Sequence, residues 1–356
     1  MRCHSTLLLA ILLAGLGLFL DCGPAKADQA KYLFKVASLA PEGSVWTKRF
    51  RDFAEEVTTK TNGEVVFKIY AGGVMGDDRA MYRKMRAGQI QGGGFTMTGI
   101  GEFVPDFRVL GIPFLCNSYD EVDHLWKSLW PQLKKDFAEQ GLELMAVTEV
   151  GFIYAMSASP ISTMEELRKS KSWTPDGDPV SKLFLETAGA SPTPLAIPDV
   201  LTSLQTGLIN AVFNSFYGSI VLQWFTRTPY ITDVPFVYGY GALVLDRTKF
   251  AELPPAHAAV MEAAARTHFA SLLADARQSN VDSLQVLRDN GVTLVKATPA
   301  TQAELHAARE QTVTKLVDKA FSRAIYDQTI QALAEFRRPT PPSPAPPEAR
   351  KQGRRP

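Results

Sequence analysis

Apolar and polar positions alternate along this chain in short blocks of two periods, one suited to strands and one to helices. YLFKVASLAP (32–41) is a β-rich apolar run closed by Pro41. After Ser44, a candidate N-cap, Trp46, Phe50, Phe53 and Val57 recur at helical spacing and predict one buried face. Asn62-Gly63 ends that helix and VVFKIY follows, so the first unit reads strand, helix, strand, the start of a parallel crossover. From Asp120, Val122, Leu125, Trp126, Leu129, Leu133 and Phe137 mark another core-facing helix. LELMAVTEVGFIYAMSASP (142–160) reads as a long strand or strand pair, and TPYITDVPFVYGYGALVLDR (228–247) as a second one. Residues 254–289 form a long helical run ending at Asn290-Gly291, followed by strand VTLVKA and a helix from Thr301 to about Phe321. Strands and helices alternating over the whole body predict an α/β fold.

The stretch from 171 to 224 is the most informative. Asp178 can cap a helix opening with Pro179, and Asp199 can cap a second in which Leu201, Leu204 and Leu208 share a face. Short helices therefore alternate with short strand-like runs, and their unpaired N–H groups point toward the strand ends. Loop residues Ala40–Ser44 fall at the carboxyl edge of the first parallel unit, where open α/β sheets bind ligands.

KSWTPDGDP, GASPTPL and LQTGLINAV in this order, with TNGEVVFKIYAGGVMGDDRAMYRKMRAGQI (61–90) upstream, resemble the solute-binding subunits of tripartite ATP-independent periplasmic (TRAP) transporters, the DctP-like family. The resemblance spans about residues 31–325. It implies a two-lobed periplasmic binding protein of type II-like architecture, with hinge-crossing strands and a long connecting helix. It also implies delivery of a small organic solute to membrane permease subunits, coupled to an ion gradient. The expected lobes are 28–150 with about 241–280, and 151–240 with about 281–336.

Family positions carried onto this chain give an expected cleft of Trp173, Asn214, Glu149, Phe152, Tyr154, Thr96, Thr98, Phe216 and Tyr240. Trp173 stands where most members carry an arginine that clamps the substrate carboxylate, and Ile153 matches a second arginine that some members use. An indole in place of a guanidinium loses charge and a fork of donors and gains an apolar face. The expected ligand is therefore neutral, aromatic or largely apolar, or a cation resting on aromatic rings, rather than a simple dicarboxylate. Trp173 is expected as a stacking platform, Asn214 as an orienting hydrogen-bond partner, and Glu149, Phe152 and Tyr154 as walls near the hinge.

Composition narrows the alternatives. At 356 residues with 46% apolar and 21% charged residues, the chain is long enough for two lobes with large cores. Residues 1–27 place Arg2 before an apolar run from Leu7 to Leu20 and end in Ala25-Lys26-Ala27, which reads as an export signal rather than a membrane anchor. Its removal takes Cys3 and Cys22 and leaves Cys116 without an intramolecular disulfide partner. Residues 337–356 hold seven prolines and six basic residues against Glu348, and read as an extended tail. The remaining body is slightly acidic, which argues against nucleic acid as a partner.

Catalytic signatures are absent from the sequence. His124, His257, His268 and His306 show no metal-ligand spacing, there is no G-x-S-x-G, and Gly72, Gly73 and Gly76 lack the GK[ST] of a phosphate loop. No enzyme activity, cofactor or metal is expected, and a monomer is. Rival readings are a receptor feeding an ABC importer or sensor kinase, a ligand or lipid carrier, and a periplasmic enzyme on the same fold.

Overall fold

The computed structural model describes residues 30–338. The expected export signal and all but two residues of the proline-rich tail lie outside them. β1 (Tyr32–Ser38) runs into α1 (Val45–Lys60) and on to β2 (Val65–Tyr70), which pairs parallel with β1. The Ser44 hydroxyl accepts from the Thr47 amide and starts α1. Phe50, Phe53 and Val57 are buried as their spacing predicts, each such side chain contributing about 1.5–3 kcal/mol. Trp46 is only half-buried and turns to the cleft. Asn62 (φ 53°) and Gly63 (φ 82°) adopt the left-handed turn that suits these two residues. Next come α2 (Asp78–Arg86), β3 (Gly92–Thr96), α3 (Met97–Ile100), a 3-10 segment over Pro105–Gly111 and α4 (Tyr119–Glu139).

β4 (Leu142–Ser157) then leads to α5 (Met164–Lys169), β5 (Trp173–Pro175), α6 (Pro179–Thr187), β6 (Thr193–Leu195), α7 (Val200–Thr206), β7 (Ala211–Asn214) and α8 (Phe216–Val221). β8 (Tyr230–Asp246) returns, followed by α9 (Arg247–Ala251), α10 (Pro255–Asp289), β9 (Thr293–Val295), α11 (Pro299–Leu316) and α12 (Arg323–Phe336). The main sheet runs β2-β1-β3-β8-β4-β7, with β9 also on β8, and β5 and β6 form a small parallel sheet apart. β4 and β8 pair antiparallel from Leu142–Asp246 to Ser157–Tyr230. They act as two rails shared by both lobes: β3 adds to one end of β8, β7 to the far end of β4.

The rails are irregular where they cross between lobes. Register shifts fall between Glu149 and Gly151 and again at Ile153–Tyr154. Gly151 has φ +100°, and a Cβ there would stand 2.6 Å from the Asn280 amide nitrogen of α10. A β-bulge of this kind adds a residue and reverses which face the following side chains take.

Two apolar clusters flank the first-lobe sheet and two more fill the second lobe. α10 belongs to both bodies, with Met261 and Leu272 in a first-lobe cluster and Leu287 in a second-lobe one. Two expectations fail. Ile325, Ala332 and Leu333 of α12 join the first-lobe cluster beside α4, so the end of the stretch expected in the second lobe packs on the first. Periodicity reveals a helix's apolar face but not the body that covers it. Asp199 makes no side-chain cap bond, because a 3-10 turn over Ile197–Asp199 precedes α7 and takes up that position.

Candidate ligand-binding cleft

A cavity of about 240 Å³ lies between the lobes, floored by the rails. The first lobe contributes the loop after β1 (Ser38 to Pro41), Trp46 of α1, and Phe95 to Thr98 where β3 passes into α3. Thr148, Val150, Ile153 and Val237 come from the rails. Trp173, Asp178, Phe184, Phe213, Asn214 and Trp224 form the second-lobe wall.

Of the nine residues expected from the sequence, five border this cavity: Thr96, Thr98, Trp173, Asn214 and Tyr240. Glu149, Phe152, Tyr154 and Phe216 do not. The bulge at Gly151 explains this for the rail residues, since Thr148, Val150 and Ile153 face the cavity while Glu149, Phe152 and Tyr154 take the opposite face. Phe152 packs on Tyr119 and Tyr238, and Tyr154 stacks on Phe216 at 4.3 Å between ring centroids. Glu149 is fully buried and accepts from the Arg277 guanidinium of α10 (2.9–3.2 Å) and from the Tyr238 hydroxyl (2.9 Å). Arg277 also pairs with Asp123 of α4 at 2.6 Å. This network ties both rails to α10 and α4 behind the cleft.

The polar groups that do border the cavity are mostly committed to the protein. The Trp173 indole N–H donates to the Leu195 carbonyl at 2.9 Å, and its ring meets Trp224 edge-on at 5.2 Å, leaving the residue 3% exposed. The Tyr240 hydroxyl donates to the Phe107 carbonyl. The Thr96 hydroxyl donates to Asp78 (2.6 Å) and accepts from the Gly99 amide, while Thr98 lies 3.0 Å from it. Asp78 is enclosed, and burial pushes its carboxyl up to about 6 despite the two hydrogen bonds from Thr96. The Asp178 carboxylate caps α6 through the Val180 and Ser181 amides.

Asn214, Thr148 and Ser38 keep hydrogen-bonding capacity among the described residues, the Ser38 hydroxyl accepting from the Ala40 amide at 3.1 Å without donating. The Asn214 Oδ1 accepts from the Ser215 amide at 2.8 Å, which orients Nδ2 as a donor that makes no hydrogen bond among the described residues. Gly218 permits this placement, since a Cβ there would fall 2.2 Å from Oδ1. The Thr148 hydroxyl, half-buried on β4, is likewise unengaged among the described residues. Sequence reading missed Thr148 and Trp46; the period-2 alternation of β4 before the bulge is the signal that could have found the first.

No lysine, arginine or histidine borders the cavity among the described residues. Arg108 lies close outside it, in the 3-10 segment, 8% exposed, with Nε unpartnered. Its burial lowers the guanidinium pKa, against the pull of Asp178 and Glu102 nearby.

A model of the bacterial extracellular solute-binding protein family 7, DctP, matches residues 36–320. The chain belongs to the DctP family. The 2,3-diketo-L-gulonate-binding periplasmic protein YiaO of Escherichia coli is 24% identical over 330 residues, covering 90% of each chain. The ectoine/5-hydroxyectoine-binding periplasmic protein UehA of Ruegeria pomeroyi is 26% identical over 230 residues, 62% of this chain and 64% of that one. Among solved structures, DctPAm of Advenella mimigardefordensis, in complex with galactonate, superposes with a TM-score of 0.81 at 19% identity, over 86% of this chain and 99% of that one. DctP7 of Bordetella pertussis, a receptor binding pyroglutamic acid, does so at 0.79 and 21% identity, over 85% and 99%. These likenesses establish the two-lobed TRAP receptor fold. This DctP-family chain is an extracytoplasmic solute receptor and not an enzyme.

Proposed function

We propose that this receptor closes over a neutral, largely apolar or aromatic solute and hands it, as a monomer, to the permease subunits of a TRAP transporter. One observation carries the ligand class: the cavity wall is largely aromatic and aliphatic, its charged residue is the carboxylate of Asp178, and it has no bordering cation among the described residues. A carboxylate in such a place would lose hydration without gaining a countercharge. On the family resemblance Trp173 takes the place of a clamping arginine; its N–H is already bonded to the Leu195 carbonyl, so what the indole offers the cavity is an apolar edge and no free donor. The Asn214 amide and the Thr148 hydroxyl supply one donor and one donor-or-acceptor for a carbonyl or hydroxyl on an otherwise apolar frame.

Among the relatives named above, YiaO is a 2,3-diketo-L-gulonate-binding protein and DctPAm was solved in complex with galactonate. An acidic solute is therefore the second reading, and the buried, unpartnered Arg108 beside the cleft favours it.

Thermal-shift measurements on ligand-stripped protein with matched pairs, benzamide against benzoate and glucose against glucuronate, separate the two. A solute at a hundredfold excess over Kd adds about 2.7 kcal/mol of stability. Stabilisation by the neutral aromatic member supports the first reading. Stabilisation by acids alone, lost in Arg108→Gln, refutes it and establishes the second.

A further inference from the structure

The Asp176-Gly177-Asp178 turn between β5 and α6 is gripped from the opposite lobe. Arg79 of α2 reaches across the mouth of the cleft, and its guanidinium donates to Asp176 at 2.8 Å while Nε holds Glu102 of its own lobe at 2.6 Å. The guanidinium sits against Gly177, where a Cβ would stand 2.5 Å from the terminal nitrogen; Gly177 also has φ +78°. Glycine thus satisfies two demands at this position, the left-handed turn and the close approach of the arginine. Directly after the turn, Val180 packs into the first-lobe apolar cluster. A second contact crosses the cleft through the first amide of α1, because Val45 N–H donates to the Tyr217 hydroxyl of α8 at 2.9 Å and Trp46 packs on the Tyr217 ring.

We propose that Arg79 and Asp176 form an electrostatic clasp, seated on Gly177, that biases the two lobes toward the closed state independently of the solute's own charge. The clasp rests on the reading of this chain as a receptor that opens and closes. Glu102 orients the arginine, so that Arg79 is presented to the second lobe before closure rather than recruited by it. Arg79, Asp176 and Glu102 are each between a third and a half exposed, so the clasp is screened by salt and readily reversible. A receptor that must release its cargo benefits from such a contact: a fully buried pair would be expensive to open.

Pulsed dipolar distances between nitroxides on cysteines placed at exposed Arg83 (α2) and Lys182 (α6), in a Cys3→Ser, Cys22→Ser, Cys116→Ala background of the full chain without solute, test this directly. At 10 mM salt the closed-to-open ratio should exceed that of Asp176→Asn, and that of Arg79→Gln, by roughly two- to fivefold. The double variant should match the singles, and 500 mM salt should bring the parent down to the variants. Tyr217→Phe should lower the closed fraction with the parent's salt dependence intact, since it removes an uncharged contact. Identical distributions for the parent and Asp176→Asn at 10 mM salt would overturn the clasp. Because no solute is used, that failure is distinct from a failure of the ligand-class reading.

Discussion

Asp78 offers the sharpest test of how the cleft is built. Its carboxylate is enclosed beneath the Thr96 wall, where burial raises it from 3.8 to about 6. In the unfolded chain the same group titrates near its ordinary value. A folded-state pKa above the unfolded one means that the native state binds more protons between pH 4 and 6, so stability falls as pH rises through that window and levels off above it. Carrying the ionised group in this enclosure at pH 7 costs about 3 kcal/mol. Asp78→Asn removes the charge, keeps an oxygen to accept from the Thr96 amide, and can donate to the Thr96 hydroxyl, which then turns to Thr98. The variant should therefore be more stable than the parent at pH 7, and the two should converge near pH 4. Denaturant unfolding of both proteins at half-unit steps from pH 4 to 7.5 measures this. The difference between them isolates Asp78 from the other groups that titrate, including Glu149, whose burial also raises it. A variant that is less stable at pH 7, or a difference that does not change with pH, would refute the reasoning.

Three further outcomes follow from the same contacts. Arg277→Met leaves Glu149 buried without its guanidinium and should cost about 3–5 kcal/mol at pH 7; the deficit should shrink on acidification as Glu149 takes a proton, and Glu149→Gln in the same chain should recover much of it. Gly151→Ala forces a side chain into a φ of +100° and to 2.6 Å from Asn280, so unfolding should show a loss of about 1–3 kcal/mol, with no recovery in an Asn280→Ala background beyond the steric part. Cys116 is buried with its thiol pushed up to about 12, so it should resist alkylation in native protein at pH 8 and react at once in denaturant.

Much of the fold is legible in local sequence. Ser44 and Asp178 cap the helices they precede, Asn62-Gly63 turns where expected, and α10 spans Pro255–Asp289 where 254–289 predicts a helix. These features depend on neighbours within about four residues, and the chain states them directly. The family is legible too, because its motifs are runs of such local features in a fixed order.

The cleft is legible only in part. Glu149, Phe152 and Tyr154, expected as walls of the cleft near the hinge, lie on the rear face instead, because a single added residue at Gly151 changes the alternation of β4. The partner of that bulge is remote: Asn280, 129 positions beyond Gly151, donates to the Val150 carbonyl at 2.9 Å. Arg277 and Glu149 are similarly remote, as are Arg79 and Asp176. The sequence by itself determined the elements, their caps and the alternation that builds two α/β lobes, since these are governed by short-range backbone and side-chain preferences. Tertiary structure alone decided which face of each rail meets the solute and which charges meet across the cleft, because a strand has two equivalent faces until distant packing chooses between them.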